Sequence, residues 1–281
     1  LCTVVFSNHT GYPEWRGLSL TASQLGDMVH GLAHPAVGAL QRYTHVVSGY
    51  CRDAESLLTV ARTVEELRRA RPDLVYLCDP VMGDDGSLYV PQAVADTYRT
   101  SVVRLADIVK LNQTEAETLT GVRVHDLASV AATLRALHAM GPRTAVLSSC
   151  RVADRASLAC LARALGLAGA AESDEAAAQR AEAHMFVFGS DKGGVPFVIG
   201  VRVLDGYFSG TGDLFSALLL GWLIRGCSTA DACVRTVAAL QSVLRRTAAA
   251  HSFELLLVQS RHDIECPCTD GFVAVPIPSL L

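Results

Sequence analysis

Short apolar, β-branched runs alternate with longer stretches of helical spacing through the first half of the chain. Residues 3–6, 44–48, 74–78, 107–110 and 144–149 have the composition of buried strands. Between them, Leu57, Val60, Ala61, Val64 and Leu67 form one apolar stripe behind Asp53, a candidate N-cap. Leu127, Val130, Leu134 and Leu137 repeat the pattern after Asp126, and Gly141-Pro142 supplies the stop. Thr21-Ala22-Ser23-Gln24 fits a capping box. Residues 153–184 are alanine-rich and predict one or two surface helices. Two strands at 185–188 and 197–203 follow, joined through residues 189–194. Two long helices close the pattern, at 211–225 and from 229 to about 251, separated by Gly226 and a cap at Ser228.

Strand–helix–strand alternation requires right-handed crossovers, hence an α/β fold with a mostly parallel central sheet and helices on both faces. Such sheets place ligands beyond the carboxyl ends of their strands. The 281 residues show no domain boundary and no internal repeat.

Composition narrows the function. Half of the residues are hydrophobic, which excludes a disordered chain, and 24 basic against 28 acidic side chains exclude a broad phosphate-neutralising face for nucleic acid. The longest apolar helical run, 215–224, falls short of the roughly 18 residues of a membrane span. Nine scattered cysteines lack zinc or thioredoxin spacing and are expected to be reduced thiols of a cytoplasmic protein.

Candidate chemistry sits at the strand ends. Ser209-Gly210-Thr211-Gly212-Asp213 opens a helix: glycines let unpaired N–H groups approach an anion, and Asp213 is placed to take a proton from an attacking hydroxyl. Phosphoryl transfer needs that pairing, although acidic residues also favour ordinary first turns. Asp79 and Asp84 follow one strand and suit a cation; a proline turn explains them equally well. Asn112 and Glu115 open a helix, where a capping box is the simpler explanation. Ser148 and Ser149 end the next strand, with hydroxyls suited to phosphate or a cation. His9 is expected to be a turn histidine, and Trp15 and Trp222 packing residues.

Taken together, these elements resemble the pyridoxal kinase family of the ribokinase-like superfamily, over nearly the whole chain. Phe6-Ser-Asn-His-Thr-Gly-Tyr12 is the most specific match. Ser48-Gly49-Tyr50, Leu77-Cys-Asp-Pro-Val-Met-Gly-Asp84, Leu88-Tyr-Val-Pro91, Leu105-Ala-Asp-Ile108, Asn112-Gln-Thr-Glu115, the Gly-Thr-Gly-Asp signature and Val258-Gln-Ser260 support it. The resemblance implies a three-layer ribokinase-like sandwich and ATP-dependent phosphorylation of the 5′-hydroxyl of pyridoxal and its relatives. Asp213 would be the general base, and Gly210, Thr211 and Gly212 the anion hole. Thr10 and Tyr50 would join Asp213 on the substrate side. Asp79, Asp84, Asn112, Glu115, Ser148, Ser149 and Thr211 would face ATP, with Asp84 and Glu115 serving Mg2+ or another divalent cation. Asp79 and Ser148 would lie at a monovalent-cation site, and a homodimer is expected.

The family pattern has a threonine before Pro-Asn; here the sequence is Lys110-Leu111-Asn112. The resemblance therefore suggests that the Lys110 ammonium replaces the monovalent cation, the alternative being that Lys110 turns outward. The family also begins with a further strand and a glycine-containing loop. The chain starts at Leu1 beyond them, so a piece of a longer kinase is expected. Two other functions stay open: another ribokinase-like kinase such as a hydroxymethylpyrimidine kinase, and a catalytically impaired binding chain.

Overall fold

A computed structural model describes residues 20–278 except 35, 39, 41 and 207. The expected strand at 3–6, the motif from Phe6 to Tyr12, His9, Thr10 and Trp15 lie outside the described residues.

Helix α1 (Ala22–Ala33) starts on the Thr21 capping box and packs near α2 (Ala54–Ala70), which is capped by Asp53. Strand β1 (His45–Ser48) lies between them in sequence, and β2 (Val75–Cys78) follows α2. A short hairpin comes next, β3 (Gly83–Asp84) and β4 (Ser87–Leu88). The sequence pattern did not suggest it, although Asp85-Gly86 is the favoured dipeptide of a two-residue hairpin turn. Asp85 and Gly86 both take positive φ, 46° and 78°, and a Cβ on Gly83 would sit 2.3 Å from the Ser87 carbonyl oxygen. Helix α3 (Gln92–Thr97) then runs into a π turn over Tyr98–Val102.

Strand β5 (Ile108–Asn112) leads directly into α4 (Gln113–Thr120); α5 (Leu127–Met140), capped by Asp126 and ended at Gly141, leads into β6 (Thr144–Cys150). The alanine-rich stretch is two helices, α6 (Arg155–Ala164) and α7 (Asp174–Ala181). They are not purely surface helices: Leu158, Leu161, Ala177 and Ala178 are buried, because small side chains let the two helices pack closely on each other. Strands β7 (His184–Asp191) and β8 (Phe197–Arg202) stand where two strands are expected and pair antiparallel. Helices α8 (Thr211–Ile224), α9 (Thr229–Ala249) and α10 (Arg261–Glu265) precede the final strand β9 (Val275–Pro276).

The sheet order is β1-β2-β5-β6-β7-β8-β9. Among the described residues, strands β1, β2, β5 and β6 are parallel neighbours and the three remaining pairings of this sheet are antiparallel, so five of its seven described strands run in one direction. Alternation along the strands divides the core in two. Tyr76, Cys78, Val109, Leu111, Ala145 and Leu147 pack against α2 to α7. Leu77, Ile108, Val146, Val187 and Ile199 face α8 and α9. Residues 79 and 110 share the parity of Leu77 and Ile108, so both belong to the face that α8 covers. This register brings two charged side chains beneath the start of α8.

Candidate active site

Helix α8 begins differently from most helices in the fold. Side chains cap α1, α2, α4, α5, α6, α7 and α9, whereas α8 starts on Gly210 at φ 83° with no side-chain cap. Its first-turn N–H groups thus remain donors for an incoming anion, and the helix dipole adds partial positive charge. Gly210, Thr211 and Gly212 occupy this end, as the sequence pattern anticipates. Asp213 lies in the same turn, its Oδ1 3.8 Å from where a Cβ on Gly49 would stand. The loop after β1 and the start of α8 therefore meet at one carboxylate. Partial desolvation and the negative charge of Asp79 raise the pKa of Asp213, and Lys110 opposes them.

Asp79 and Lys110 form a buried ion pair beneath this turn. The Lys110 Nζ lies 2.7 Å from Asp79 Oδ2, with the two side chains 4% and 2% exposed. Ser216 Oγ donates to the same oxygen at 2.7 Å. Asp79 Oδ1 is buried without a hydrogen-bond partner among the described residues. Lys110 thus points inward, toward α8, not outward. Sequence reasoning passed over Ser216, whose signal was a lone hydroxyl in an apolar helix one turn beyond Asp213.

A second group surrounds Asn112. Its Oδ1 accepts from Glu115 N (2.9 Å) and its Nδ2 donates to the Gly83 carbonyl (2.7 Å). Glu115 accepts from Asn112 N (2.8 Å) through one oxygen and from Met82 N (3.2 Å) through the other. Thr114 Oγ1 accepts from Gly86 N at 2.8 Å, a contact the sequence did not reveal. The capping box is therefore present and also serves as a dock: Asn112, Thr114 and Glu115 of this helix start hold the hairpin that carries Asp84. Asp84 itself is exposed, one oxygen accepting from Asp85 N (3.0 Å). Ser148 Oγ donates to the Leu111 carbonyl (3.0 Å), and Ser149 pairs in register with Asn112. Tyr50 is half-buried against the core beyond β1.

Burial first and the charge of Asp79 second push Glu115 up to about 8, against the pull of Lys110 and the two N–H donors. The folded chain then keeps a proton that the unfolded chain releases near 4.5, so folding stability falls as pH rises from about 4.5 to about 8 and levels off above. Thermal melting across that window is expected to show a steeper decline in the wild type than in Glu115→Gln. Equal slopes in the two proteins would refute this assignment.

Tyr98 Oη donates to the Gly49 carbonyl (3.1 Å), and Ser48 Oγ and Tyr76 Oη share a 2.6 Å hydrogen bond. These buried phenols fix the residue 48–50 loop against which Asp213 sits. Cys78, adjacent to Asp79, is pushed up to about 12 by burial and remains a thiol. The eight described cysteines are all unpaired.

Geometry and comparison agree. The model of the phosphomethylpyrimidine kinase family matches residues 46–255. Pyridoxal kinase from Sus scrofa is 38% identical over 94% of the chain and 82% of its own length. Pyridoxal kinase from Arabidopsis thaliana is 37% identical over 94% and 81%. Among solved structures, pyridoxal kinase from Leishmania donovani in complex with ADP and pyridoxine superposes with a TM-score of 0.80 at 28% identity, covering 97% of this chain and 86% of that one. Relatives more than a third identical and matched over about four fifths of their own length carry the conclusion: the chain belongs to the pyridoxal kinase family.

Proposed function

We propose that the chain transfers the γ-phosphoryl group of ATP to the 5′-hydroxyl of pyridoxal, pyridoxine or pyridoxamine. The observation that carries this reading is the uncapped start of α8 with Asp213 in its first turn, set against Gly49 of the substrate-side loop. The N–H groups at Gly210, Thr211 and Gly212 receive the oxygens of the transferring phosphoryl group. Asp213 aligns the hydroxyl and removes its proton; a carboxyl pKa raised above the ordinary aspartate value makes it a stronger base. Tyr50 and, outside the described residues, Thr10 belong to the vitamin side. Asp79, Asn112, Glu115, Ser148, Ser149 and Thr211 belong to the ATP side.

A divalent cation fits this arrangement. Among the described residues no cluster of three or more His, Cys, Asp or Glu forms a metal cage. A magnesium ion that is held by one or two carboxylates plus substrate phosphates requires none. Asp84 offers an accessible carboxylate oxygen, while Glu115 is occupied in holding the hairpin that positions it. When bound, Mg2+ neutralises phosphate charge. A homodimer and a cytoplasmic setting belong to the same reading. No helix among the described residues is long and apolar enough to cross a membrane.

Coupled ADP release with purified protein tests the proposal, with pyridoxal and hydroxymethylpyrimidine offered separately with Mg-ATP. Faster turnover on pyridoxal is expected. Preference for the pyrimidine would reassign the chain to the alternative kinase class, and ADP release with neither would leave a binding protein.

A further inference from the structure

We infer that Lys110 is a tethered cation: its ammonium occupies the place of a monovalent metal ion beneath the phosphoryl-transfer turn and makes added potassium unnecessary. This rests on the proposed kinase reading for its activity arm alone.

The residues present do not fit a bound monovalent cation. The carboxylate that would hold such an ion is Asp79, whose Oδ2 is already bonded to the Lys110 Nζ at 2.7 Å and to Ser216 Oγ at 2.7 Å, leaving only Oδ1 without a partner among the described residues. Ser148, the other expected ligand, is turned to the Leu111 carbonyl. The ammonium also packs against the anion-binding turn: a Cβ on Gly212 would come within 3.3 Å of Nζ. A metal ion and this side chain therefore compete for one space. A lysine ammonium is a compact point charge of nearly the size of a potassium ion, delivered on a stem that cannot diffuse away.

The placement has an electrostatic purpose. Triphosphate would approach a turn that contains Asp213 and lies over buried Asp79, and like charges in a site shielded from water repel strongly. A fixed positive charge on Asp79 cancels one of these carboxylates and leaves the N–H donors of α8 as the dominant field. Lys110 touches neither substrate nor reacting atoms in this arrangement; it is a positioning residue that acts through Asp79 and Gly212. An inward lysine is otherwise a poor occupant of a buried strand, because desolvating it costs several kcal/mol unless it is well paired.

The test compares the wild type with Lys110→Thr, each in potassium and in tetramethylammonium at equal ionic strength, by turnover and by thermal melting. Wild-type turnover and Tm are expected to be the same in both salts. Lys110→Thr empties the place and restores a hydroxyl. Its turnover in tetramethylammonium is expected to fall by about tenfold or more. Potassium should recover much of that loss and raise the Tm of this variant by about 2–4 °C, through binding to the folded state alone. Potassium activation of the wild type, or a Lys110→Thr protein that responds to potassium in neither measurement, would overturn the inference. Should Lys110→Thr fail to fold, the charge-neutral pair Asp79→Asn/Lys110→Met replaces it. That protein has neither the carboxylate nor the ammonium and is expected to fold with the same Tm in both salts; a Tm raised by potassium in it would place the cation elsewhere and overturn the inference. If the wild type releases no ADP with any vitamer, the kinase reading fails, and the melting arm still decides whether Lys110 fills a cation site.

Discussion

Replacing Asp213 by asparagine is expected to lower turnover by roughly a hundredfold or more while leaving ATP affinity nearly unchanged. The amide keeps the size and the hydrogen-bonding reach of the carboxylate, so the start of α8 and its donors stay in place. What disappears is the ability to accept a proton from the attacking hydroxyl. The carboxylate lies beside the loop at Gly49, and this is why the loss should fall on kcat and spare the nucleotide. In the wild type the rate should rise with pH as Asp213 ionises, and that limb should vanish in the variant. Steady-state kinetics with pyridoxal and an independent titration of ATP binding check both halves. Near-normal turnover in Asp213→Asn would remove Asp213 from the chemistry.

Replacing Asp79 by asparagine is expected to destabilise the fold by about 3–5 kcal/mol, the usual consequence of leaving one member of a buried pair uncompensated. Lys110 is 4% exposed, so the substitution leaves a buried ammonium without its carboxylate. Ser216 loses its acceptor in the same substitution. Adding Lys110→Met to that variant should recover most of the lost stability, because an unbranched apolar side chain occupies a similar volume at no electrostatic cost. Urea denaturation of the wild type, both single variants and the pair forms a double-mutant cycle. Additive losses would mean that the two groups do not interact, contrary to their 2.7 Å separation.

Much of this arrangement was legible in the sequence because it depends on local signals. Asp53, Asp126, Thr21 and Ser228 were recognisable as caps, and each accepts from the predicted N–H. The four parallel strands carry short apolar runs, and the residues that end or follow β2 and β5 meet in hydrogen bonds between Asn112 and Gly83 and between Glu115 and Met82. The missing parts depend on distance and on small side chains. Ser216, 137 residues from Asp79 in sequence, becomes a partner only once α8 lies across the sheet. The β3–β4 hairpin is too short for alternation to register, and only Asp85-Gly86 announced it. Residues 153–184 looked like a surface feature because alanine contributes little to a hydrophobic stripe; in the fold that same smallness lets α6 and α7 pack tightly. Lys110 could be flagged in the sequence as out of place, but its inward direction follows from strand parity beneath a helix located a hundred residues later.

The division of the core into two faces bears on the order of assembly during synthesis. Every helix covering the first face, α2 through α7, lies before residue 182, whereas the opposite face of the same strands waits for α8 and α9. A chain emerging N-terminus first can therefore close one side of its sheet while Leu77, Ile108, Val146 and the pair Asp79–Lys110 still face water. Charge on that open face is harmless in water and costly only once it is covered. The ion pair is thus expected to form in solvent and to be sealed by α8 afterwards, so that the catalytic turn is set in place only after the first face has closed. Chains stalled on the ribosome before residue 205 should be readily cleaved by protease across β2 and β5; protection equal to that of the full chain would contradict this order.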